Sequence, residues 1–579
     1  MSKAESEEIQ RITYAISKYE KIPPNLIRVT QTHISRIFIT PGFVYKQKKP
    51  VNFGFVDYSS LEKRRFFARK ELSLNRRACS GIYLGLAELR QRAGHVFIGF
   101  KGGALEDVLV RMRHVASERF LNGILDLDSL DKNVVKNYRL NNKEDVLKRV
   151  ARRIYLFHKN AKSSKRISGF AKTEVYRENW DDNFLSIGKL FNGFNNLKGA
   201  EGKSGIKSIT GDGVNSLAGI LEHMKKFYDG FLRSRLFNEF VDIRIENGFI
   251  KDLHGDLRME HIAVIDRRRV NGVCLMDCAE FNERFRNQDL YLDVAFLLMD
   301  FEFNGFFYES VLFFNYYKGF FNYKKDIRGY EKYEPFIMPF FKAYRSVVRT
   351  KISFLSGRLQ EGLRHLNLAL FYVELLKKPV VILNIGLSGS GKSLLSGLLA
   401  GYFYSRNIKS DVLRHEIFGY TDKILKYSRQ ASETVYDNML REGVKLFNEG
   451  KSIIFDATFL KREHREKFFS YFAKKDCNFA IIYSKIYNGK EEVILKRLKN
   501  REVTGGLAKE NKDYSEAGIS VYLSQKTIFE EPEPQDIPLL QNCAGALNIT
   551  FITVDASLEL SERFNYVMKK IKKTKPLQI

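Results

Sequence analysis

The sequence predicts a two-domain protein, with a mixed α+β domain over residues 9–376 and an α/β domain with a mainly parallel sheet over residues 379–579. Its 579 residues exceed what one hydrophobic core usually holds. The 44% hydrophobic content, with 47 Phe and 29 Tyr against 11 Pro, is typical of folded chains rather than disordered ones. After residue 378 the pattern changes to a buried strand, PVVILNIG, followed by a loop and the helical run KSLLSGLLAGYF.

Local patterns assign the elements of the first domain. The runs SRIFIT and GFVYKQKK share the turn signal Thr40-Pro41-Gly42, which predicts a hairpin. A helix is predicted over residues 61–77, and a second hairpin around GHVFIGF. Further along we expect a strand near Ile250 and helices over residues 333–376, while the Gly, Ser and Lys content of residues 198–213 predicts a flexible loop.

The charge of the chain favours polyanionic partners in general. Of the formal net charge of +28, residues 1–378 contribute +21. The basic residues are scattered and form no RNA-binding or helix-turn-helix signature, so a solvated basic surface is preferred and nucleic acid is left open as a partner. The polar N-terminus, the absence of CxxC pairs and the lack of a long apolar run predict a reduced cytoplasmic protein that does not insert in a membrane.

The loop after the PVVILNIG strand satisfies the phosphate-binding pattern GxxxxGK[ST] between a strand and a helix. Glycines allow backbone N–H groups to face phosphate oxygens, Lys392 meets the β- and γ-phosphates, and the Ser393 hydroxyl ligates Mg²⁺. ATP and Mg²⁺ are therefore the expected cofactors. The predicted binding residues are Gly386, Leu387, Ser388, Gly389, Ser390, Gly391, Lys392 and Ser393.

Two further acidic positions follow strand-like runs in the second domain. The run KSIIFDATFL contains a strand that ends in Asp456, a position where a carboxylate holds metal or substrate; the alternative is that Asp456 caps the helix predicted over residues 461–472. Asp411 and Arg414 would face one ligand if a helix begins there, with Asp411 activating an acceptor hydroxyl. The alternative is a helix cap formed by Ser410 and Asp411, with an unrelated surface arginine.

Arg497 and Arg501 stand one helical turn apart in LKRLKNRE, which suits either a lid that clamps a phosphoryl group or a solvated basic helix face. In order, the motifs GLSGSGKS, DxxR, DATF and RxxxR resemble the P-loop kinase family that includes polynucleotide kinase 5′-kinase domains and zeta-toxin-like kinases. The resemblance implies that Asp411 is a general base, that Arg414 contacts phosphate or substrate, and that the arginine pair forms a lid. It does not imply an acceptor.

The first domain carries two carboxylates at consecutive turns, Asp256 in HGDLRMEH and Asp277 after VNGVCLMD, which suit proton acceptance and Mg²⁺ binding. HGDL resembles the catalytic loop of aminoglycoside and choline phosphotransferases, and Asp277 matches their metal-binding aspartate. The runs YKQKKPVNFGFVDYSSLEKRRFFARKELSLNRR, MDCAEFNERFR and DVAFLLMDFE extend this into a likeness to bifunctional aminoglycoside phosphotransferase-like/ATP-binding fusion proteins. The resemblance thus implies a protein-kinase-like first domain followed by a P-loop domain.

By this resemblance Lys46 contacts the α- and β-phosphates and Glu71 pairs with it. Lys48 is a rival for Lys46, because both side chains lie on the same face of a strand. Asp293 is expected either as a buried carboxylate that steadies the catalytic loop or as a helix cap. His254 is expected to be structural.

Two departures from the phosphotransferase pattern leave the catalytic competence of the first domain open. His261 stands where the second metal ligand is usually Asn, and imidazole is a softer ligand than an amide oxygen. A GxGxxG loop is missing between the first strands.

The reaction expected from the sequence is transfer of the γ-phosphoryl group of ATP to a hydroxyl acceptor, either a small molecule or a nucleic-acid end. One alternative is an ATP-dependent switch whose first domain only binds a ligand. The other is a nucleic-acid end kinase.

Overall fold

The computed structural model describes residues 3–54, 56–126, 143–199, 217–266, 269–321, 332–419, 428–503, 518–534 and 548–573. Contacts divide the chain into two compact units. The N-terminal unit comprises Met1–Phe301, Leu312–Tyr330 and Tyr344–Leu366, and the C-terminal unit comprises Glu302–Val311, Glu331–Ala343 and Asn367–Ile579. The last division falls inside the helix Leu359–Lys377. The domain limits 376 and 379 stay a prediction from the sequence.

The N-terminal unit opens with a six-stranded antiparallel sheet in the order β1-β2-β3-β6-β4-β5. Its strands are Arg28–Gln31 (β1), Ser35–Ile39 (β2), Phe43–Lys48 (β3), Tyr83–Arg92 (β4), His95–Ile98 (β5) and Ala104–Arg113 (β6). β2 pairs with β3 and β4 pairs with β5. Both predicted hairpins are therefore present, and the predicted helix 61–77 lies within the helix Leu61–Cys79.

Side-chain alternation gives this sheet two buried faces. Leu109 points to the core shared with Ile16 of the helix Lys3–Glu20. Its neighbours Val108 and Val110 point to the core shared with Ala68 of the helix Leu61–Cys79. The sheet, which includes strand β3, is thus covered by a hydrophobic core on each face.

Two short antiparallel pairs follow. Strand β7 (Ile250–Asp252) pairs with β10 (Asn287–Asp289), and β8 (Ile262–Val264) pairs with β9 (Val273–Leu275). The HGDL segment lies between β7 and β8. The helices from residue 121 to residue 377 are Leu121–Leu125, Lys143–Asn160, Lys165–Ser168, Thr173–Gly199, Leu217–Arg233, Arg235–Glu246, Leu290–Phe303, Phe307–Gly319, Glu334–Leu355 and Leu359–Lys377. Of the predicted loop 198–213, two residues end a helix and the others lie outside the described residues.

The C-terminal unit contains a five-stranded parallel sheet in the order β12-β13-β11-β14-β15. The strands are Val380–Ile385 (β11), Arg406–Lys409 (β12), Ile453–Asp456 (β13), Asn478–Lys485 (β14) and Asn548–Asp555 (β15). Its helices after β11 are Lys392–Phe403, Ser410–Phe418, Arg429–Asn448, Arg462–Phe472, Glu491–Val503, Ile519–Ile528 and Leu560–Lys573.

Both faces of the parallel sheet are buried. Phe468 and Phe472 pack on one face, and Leu395 and Phe564 pack on the other. This burial explains why β11 is apolar except at Asn384, since all of its residues lie in the core. The predicted fold class, an α+β domain followed by an α/β domain with a parallel sheet, is confirmed.

A buried polar cluster joins separate segments of the C-terminal unit around Glu302, which is 1% exposed. Its carboxylate accepts hydrogen bonds from the Lys342 ammonium at 3.0 Å and from the hydroxyls of Tyr372 and Tyr402, each at 2.7 Å. The Ser310 hydroxyl donates a further bond at 2.9 Å. Glu302 is thereby fully bonded, as a buried carboxylate must be.

Within the described ranges, every helix is too short or too polar to cross a bilayer.

Candidate functional site

The phosphate loop leaves β11 and enters the helix Lys392–Phe403. Gly389 and Gly391 have φ angles of +79° and +75°, a left-handed conformation that favours glycine. A Cβ at Gly389 would lie 2.8 Å from the side chain of Ile494, and one at Gly391 would lie 2.5 Å from the guanidinium of Arg563. Any side chain at either glycine would therefore displace a neighbour. The helix that begins at Lys392 directs the N–H groups of its first turn at the loop, as an anion site requires.

Asn384 ties the strand to this helix. Its amide nitrogen donates to the carbonyl of Lys392 at 2.8 Å and to the hydroxyl of Ser396 at 2.7 Å. Sequence reasoning missed Asn384, although a polar residue inside an otherwise apolar strand was a visible signal. On the other side of the loop, the N–H of Ser388 donates to the side-chain oxygen of Gln525 at 2.9 Å.

Asp456 ends β13 and is aligned with Asn384 on β11 and with Lys409 on β12. It is 3% exposed, and neither carboxylate oxygen makes a hydrogen bond of normal geometry among the described residues, although the Ser393 hydroxyl lies close enough to act on its pKa. Burial raises the pKa of Asp456, while the Lys392 ammonium and the Ser393 hydroxyl act in the opposite direction. A buried carboxylate without a partner is costly, and carboxylate and hydroxyl oxygens are ligands that Mg²⁺ prefers. Asp456 and Ser393 therefore fit a magnesium ion.

The helix that Asp456 was alternatively expected to cap is Arg462–Phe472, and its N-cap residue is Lys461. Asp456 therefore does not cap it. Asp411 lies in the first turn of the helix Ser410–Phe418, whose N-cap residue is Lys409 and which no side chain caps. The capping alternative for Asp411 is thus absent as well.

Asp411 and Arg414 lie one turn apart on that helix, and Arg414 is buried. Burial is the main cause that raises the pKa of Tyr436; Asp411 acts in the same direction and Arg414 in the opposite one. Asp411 also contributes to the raised pKa of Asp456. The two carboxylates and the guanidinium therefore share one region at the carboxyl edge of the parallel sheet.

Two arginines approach the phosphate loop at Gly391. Arg497 donates to the carbonyl of Ala556 at 2.7 Å, and its guanidinium lies 3.8 Å from the position of a Cβ at Gly391. Arg563 is 2% exposed and donates to the hydroxyl of Ser484 at 3.0 Å. Burial, and to a lesser degree Arg497, lowers the pKa of Arg563 to about 10.

Sequence reasoning missed Arg563, because it lies in an ordinary amphipathic helix without a motif. Arg501 lies on the same helix as Arg497, one turn further on. The structure therefore brings one predicted arginine and one that was not predicted to the loop.

In the N-terminal unit, Lys46 and Lys48 both bond the buried carboxylate of Glu71. The Lys46 ammonium lies 3.0 Å from one oxygen of Glu71 and 2.5 Å from Asp277, and the Lys48 ammonium lies 2.7 Å from the other oxygen of Glu71. Lys48 also pairs with Glu280, which sequence reasoning missed. Lys46 thus pairs with Asp277, the aspartate that was predicted to bind metal. The alternative lysine, Lys48, is buried in the core.

Asp256 is bonded by a guanidinium. Arg258 donates to its two oxygens at 2.9 and 3.2 Å. Burial raises the pKa of Asp256, but Arg258 and His261 together outweigh it, and the pKa lies well below its usual range. Asp256 is therefore ionised and is a weak base.

His261 is fixed between backbone and side chain. Its Nδ1 lies 2.7 Å from the carbonyl oxygen of Asp256, so this nitrogen carries the proton. Its Nε2 lies 3.1 Å from the guanidinium of Arg258 and accepts that bond. In this arrangement no lone pair of His261 is left for a metal ion.

Asp293 supports the HGDL segment. Its carboxylate accepts the N–H groups of His254 at 3.2 Å and Gly255 at 2.9 Å, and Nε2 of His158 lies 3.2 Å away. His254 is bonded through Nε2 to the carbonyl of Met276, and burial lowers its pKa to about 4. His254 is therefore neutral, and both residues are placed as structural elements.

Two cavities of the N-terminal unit share Lys46 and Asp277 as part of their walls. The larger, of about 700 Å³, also contains residues 113–118 and His261 in its lining. The smaller, of about 210 Å³, is lined by Asp256. Asp277 itself has a φ of +61°, an uncommon conformation for a residue with a side chain. The Lys46–Asp277 pair thus belongs to both cavities, whereas Asp256 lines the smaller one.

Comparison with known proteins finds relatives without an assigned role. Uncharacterized proteins of Mycobacterium tuberculosis and Mycobacterium bovis are 27% identical over 448 residues, which cover 75% of this chain and 78% of each relative.

Among solved structures, an aminoglycoside 2′-phosphotransferase in complex with GDP covers 63% of this chain and 97% of its own, at 11% identity and a TM-score of 0.34. APS kinase of Mycobacterium tuberculosis covers 34% and 98%, at 16% identity and a TM-score of 0.23. The sequence comparison agrees with the geometry of the phosphate loop, since residues 381–532 match the family model of the AAA domain.

Proposed function

We propose that the chain is an ATP-dependent phosphotransferase whose C-terminal unit transfers the γ-phosphoryl group of ATP to a hydroxyl acceptor. The observation that carries the proposal is the buried carboxylate of Asp456, which makes no hydrogen bond of normal geometry among the described residues and stands beside Lys392 and Ser393. A protein keeps such a costly group where a cation completes it.

The donor side follows from the phosphate loop. Backbone N–H groups of the loop and of the following helix would hold the phosphate oxygens, and Lys392 would meet the β- and γ-phosphates. Ser393 and Asp456 would hold Mg²⁺, which when bound neutralises charge on the phosphates.

The acceptor side follows from the helix Ser410–Phe418. Asp411 would accept the proton of the acceptor hydroxyl, and Arg414 would orient the acceptor or its phosphate. Arg497 and Arg563 would stabilise negative charge that moves toward the leaving group in the transition state. Since Arg563 is already buried and fixed, this stabilisation needs little reorganisation.

The test is ATP consumption by the full-length protein and its Lys392→Ala variant, with a panel of sugars, nucleosides and oligonucleotide 5′-ends. We expect an acceptor to stimulate turnover and Lys392→Ala to reduce it by about 100-fold or more. Lys451→Ala, an exposed lysine of the same unit, is the matched control and should behave as wild type.

Unchanged turnover in Lys392→Ala would refute the proposal. ATP turnover that no acceptor stimulates would favour the switch, and binding of nucleic-acid ends that weakens steeply with salt would favour the end kinase.

A second candidate function belongs to the N-terminal unit, because Lys46 and Asp277 line both of its cavities and Asp256 lines the smaller one. There Lys46 and Asp277 would hold ATP and Mg²⁺ from the larger cavity, and Asp256 would receive the acceptor proton from the smaller one. Asp256→Ala in the Lys392→Ala background tests it: loss of a residual acceptor-dependent turnover supports a second active site, and an unchanged residual rate opposes it.

A further inference from the structure

The smaller cavity of the N-terminal unit has a strongly basic wall. The helix Glu334–Leu355 contributes Arg345, Arg349 and Lys351 to its lining, and the two arginines lie one helical turn apart. The same cavity is lined by Asp256, the residue that would receive the acceptor proton. The charge next to the acceptor position is therefore set by this helix.

The acidic residues of the cavity already have cations of their own. Asp256 is paired with Arg258, Asp277 with Lys46, and Glu280 with Lys48. Each of these cations is shared with a second carboxylate, Arg258 with Glu260 and both lysines with Glu71. Among the described residues, none of the three acidic residues forms an ion pair with Arg345 or Arg349, although Asp256 raises the pKa of both from a longer distance.

Arg345 is buried, at 3% exposure, and its hydrogen bonds go to neutral oxygens. It donates to the carbonyl of Leu292 at 3.2 Å and to the side-chain oxygen of Gln288 at 2.5 Å. Among the described residues, no carboxylate oxygen lies within 4 Å of its guanidinium. Its charge is balanced only from a longer distance, by the carboxylates of Asp293 and Asp256.

Arg349 has part of a counter-ion. Its guanidinium lies 3.4 Å from Glu361, which also pairs with Arg358 at 3.4 Å. Burial is the main cause that lowers the pKa of Arg345, of Arg349 and of Lys351. Carboxylates act in the opposite direction, among them Asp256 on both arginines.

Aromatic side chains form a further part of the lining. Phe281, Phe285, Phe296 and Tyr344 line the same cavity, and the guanidinium of Arg345 lies 4.6 Å from the ring centroid of Phe296. Apolar surface of this kind binds the body of a ligand, while the few polar groups fix its orientation.

We propose that the smaller cavity binds an anionic acceptor with an aromatic or apolar body, whose negative group pairs with Arg345 and Arg349 while its hydroxyl reaches Asp256. This rests on the second candidate function, and it names the acceptor class of that site. The acceptor oxygen forms its bond to the γ-phosphorus as the bond from that phosphorus to the β,γ-bridging oxygen breaks. ADP leaves, and the hydroxyl proton passes to the carboxylate of Asp256. A polycationic acceptor such as an aminoglycoside would meet like charge on this wall.

The test uses three probes of one skeleton that differ in charge: 4-(hydroxymethyl)benzoate, benzyl alcohol and 4-(hydroxymethyl)benzylamine. Binding to the full-length protein is measured by calorimetry, and phosphoryl transfer from ATP is measured in the Lys392→Ala background. We expect the benzoate to bind roughly tenfold or more tightly than the neutral alcohol, and the amine most weakly. Arg349→Gln should remove most of the preference, Arg349→Lys should keep part of it, and Arg235→Gln, at an exposed arginine, should leave it unchanged.

Binding and turnover separate this inference from the function on which it rests. Charge-dependent binding of the benzoate without transfer upholds the binding site and refutes the second activity. Equal affinity for the three probes, or binding of none, overturns the inference even if transfer to another acceptor occurs. Retention of the preference in a folded Arg349→Gln protein, judged by Trp180 fluorescence, also overturns it.

Discussion

Replacing Asp456 by Asn should make the nucleotide-free C-terminal unit more stable and its complex with MgATP weaker. In the absence of ligand, the carboxylate of Asp456 is buried, and its oxygens make no hydrogen bond of normal geometry among the described residues. An amide of the same size removes the buried charge. It also removes half of the oxygen pair that, with Ser393, fits the metal ion.

The magnitude follows from the cost of burying a polar group without a partner, about 1–3 kcal/mol. Asp456→Asn should recover part of this cost. The full cost corresponds to a change of roughly 5- to 150-fold in the equilibrium constant for local opening. Wild type should gain about 2.7 kcal/mol from MgATP at 100 times its dissociation constant, and the variant should lose most of that gain.

Hydrogen exchange followed by mass spectrometry suits this measurement, because it reports β11 and β13 separately from the N-terminal unit. Asp476→Asn is the matched control, since that carboxylate is 78% exposed and pairs with Lys378 at the surface. Its effect should stay within about 1 kcal/mol.

The pKa of Asp456 is raised in the folded state, so its stabilising effect is present below the unfolded pKa of about 3.9 and is lost as pH rises through the higher folded pKa. The difference in stability between wild type and Asp456→Asn should therefore become smaller as the pH falls. Faster exchange of β13 in nucleotide-free Asp456→Asn than in wild type would refute the reasoning, since it would mean that the carboxylate has partners.

Three further outcomes are expected. Burial lowers the pKa of Lys351 to about 8, so binding of 4-(hydroxymethyl)benzoate should weaken as pH rises above about 8, and Lys351→Arg should flatten this dependence in calorimetry. Asp293→Ala should lower the free energy of unfolding of the N-terminal unit by about 3 kcal/mol or more, because it leaves the N–H groups of the HGDL segment unbonded. Denaturation followed by the fluorescence of Trp180, the sole tryptophan, measures this loss, and ATP turnover at the C-terminal unit should persist. Gly389→Ala places a Cβ 2.9 Å from Leu498 at a φ of +79° and should weaken ATP binding by about tenfold or more in calorimetry, whereas Gly397→Ala, in open space on the next helix, should not.

The sequence predicted the elements that rest on local chemistry. The strand, glycine loop and helix around Lys392 follow from β-branched burial and left-handed turns, and Asp456 follows from the end of a strand. The capping alternatives for Asp411 and Asp456 are absent because helix starts depend on one or two residues of backbone geometry, which propensity does not fix.

Contacts between distant segments could not be read from the sequence. Arg563 reaches the phosphate loop across 172 positions, and nothing in its helix distinguishes it from a surface arginine. Arg345 and Arg349 likewise belong to an ordinary amphipathic helix pattern in the sequence, and only the fold brings them into the same cavity as Asp256. Their roles arise from tertiary placement, in which neighbours are chosen by the topology of the chain.

The bonds to Glu302 bear on how the two halves of this protein can be inherited. Tyr402 follows the phosphate loop, yet the carboxylate that accepts its hydroxyl lies about a hundred positions earlier, as does the segment that carries Ser310. A gene split at Pro379 would produce a P-loop fragment with Tyr402 buried and its acceptor missing. The hydroxyl would lose its acceptor, and Glu302 on the other fragment would lose one of its four donors. We therefore expect a gene divided at Pro379 to give a less stable P-loop unit, so that the segment that carries Glu302 and Ser310 has to be inherited with it.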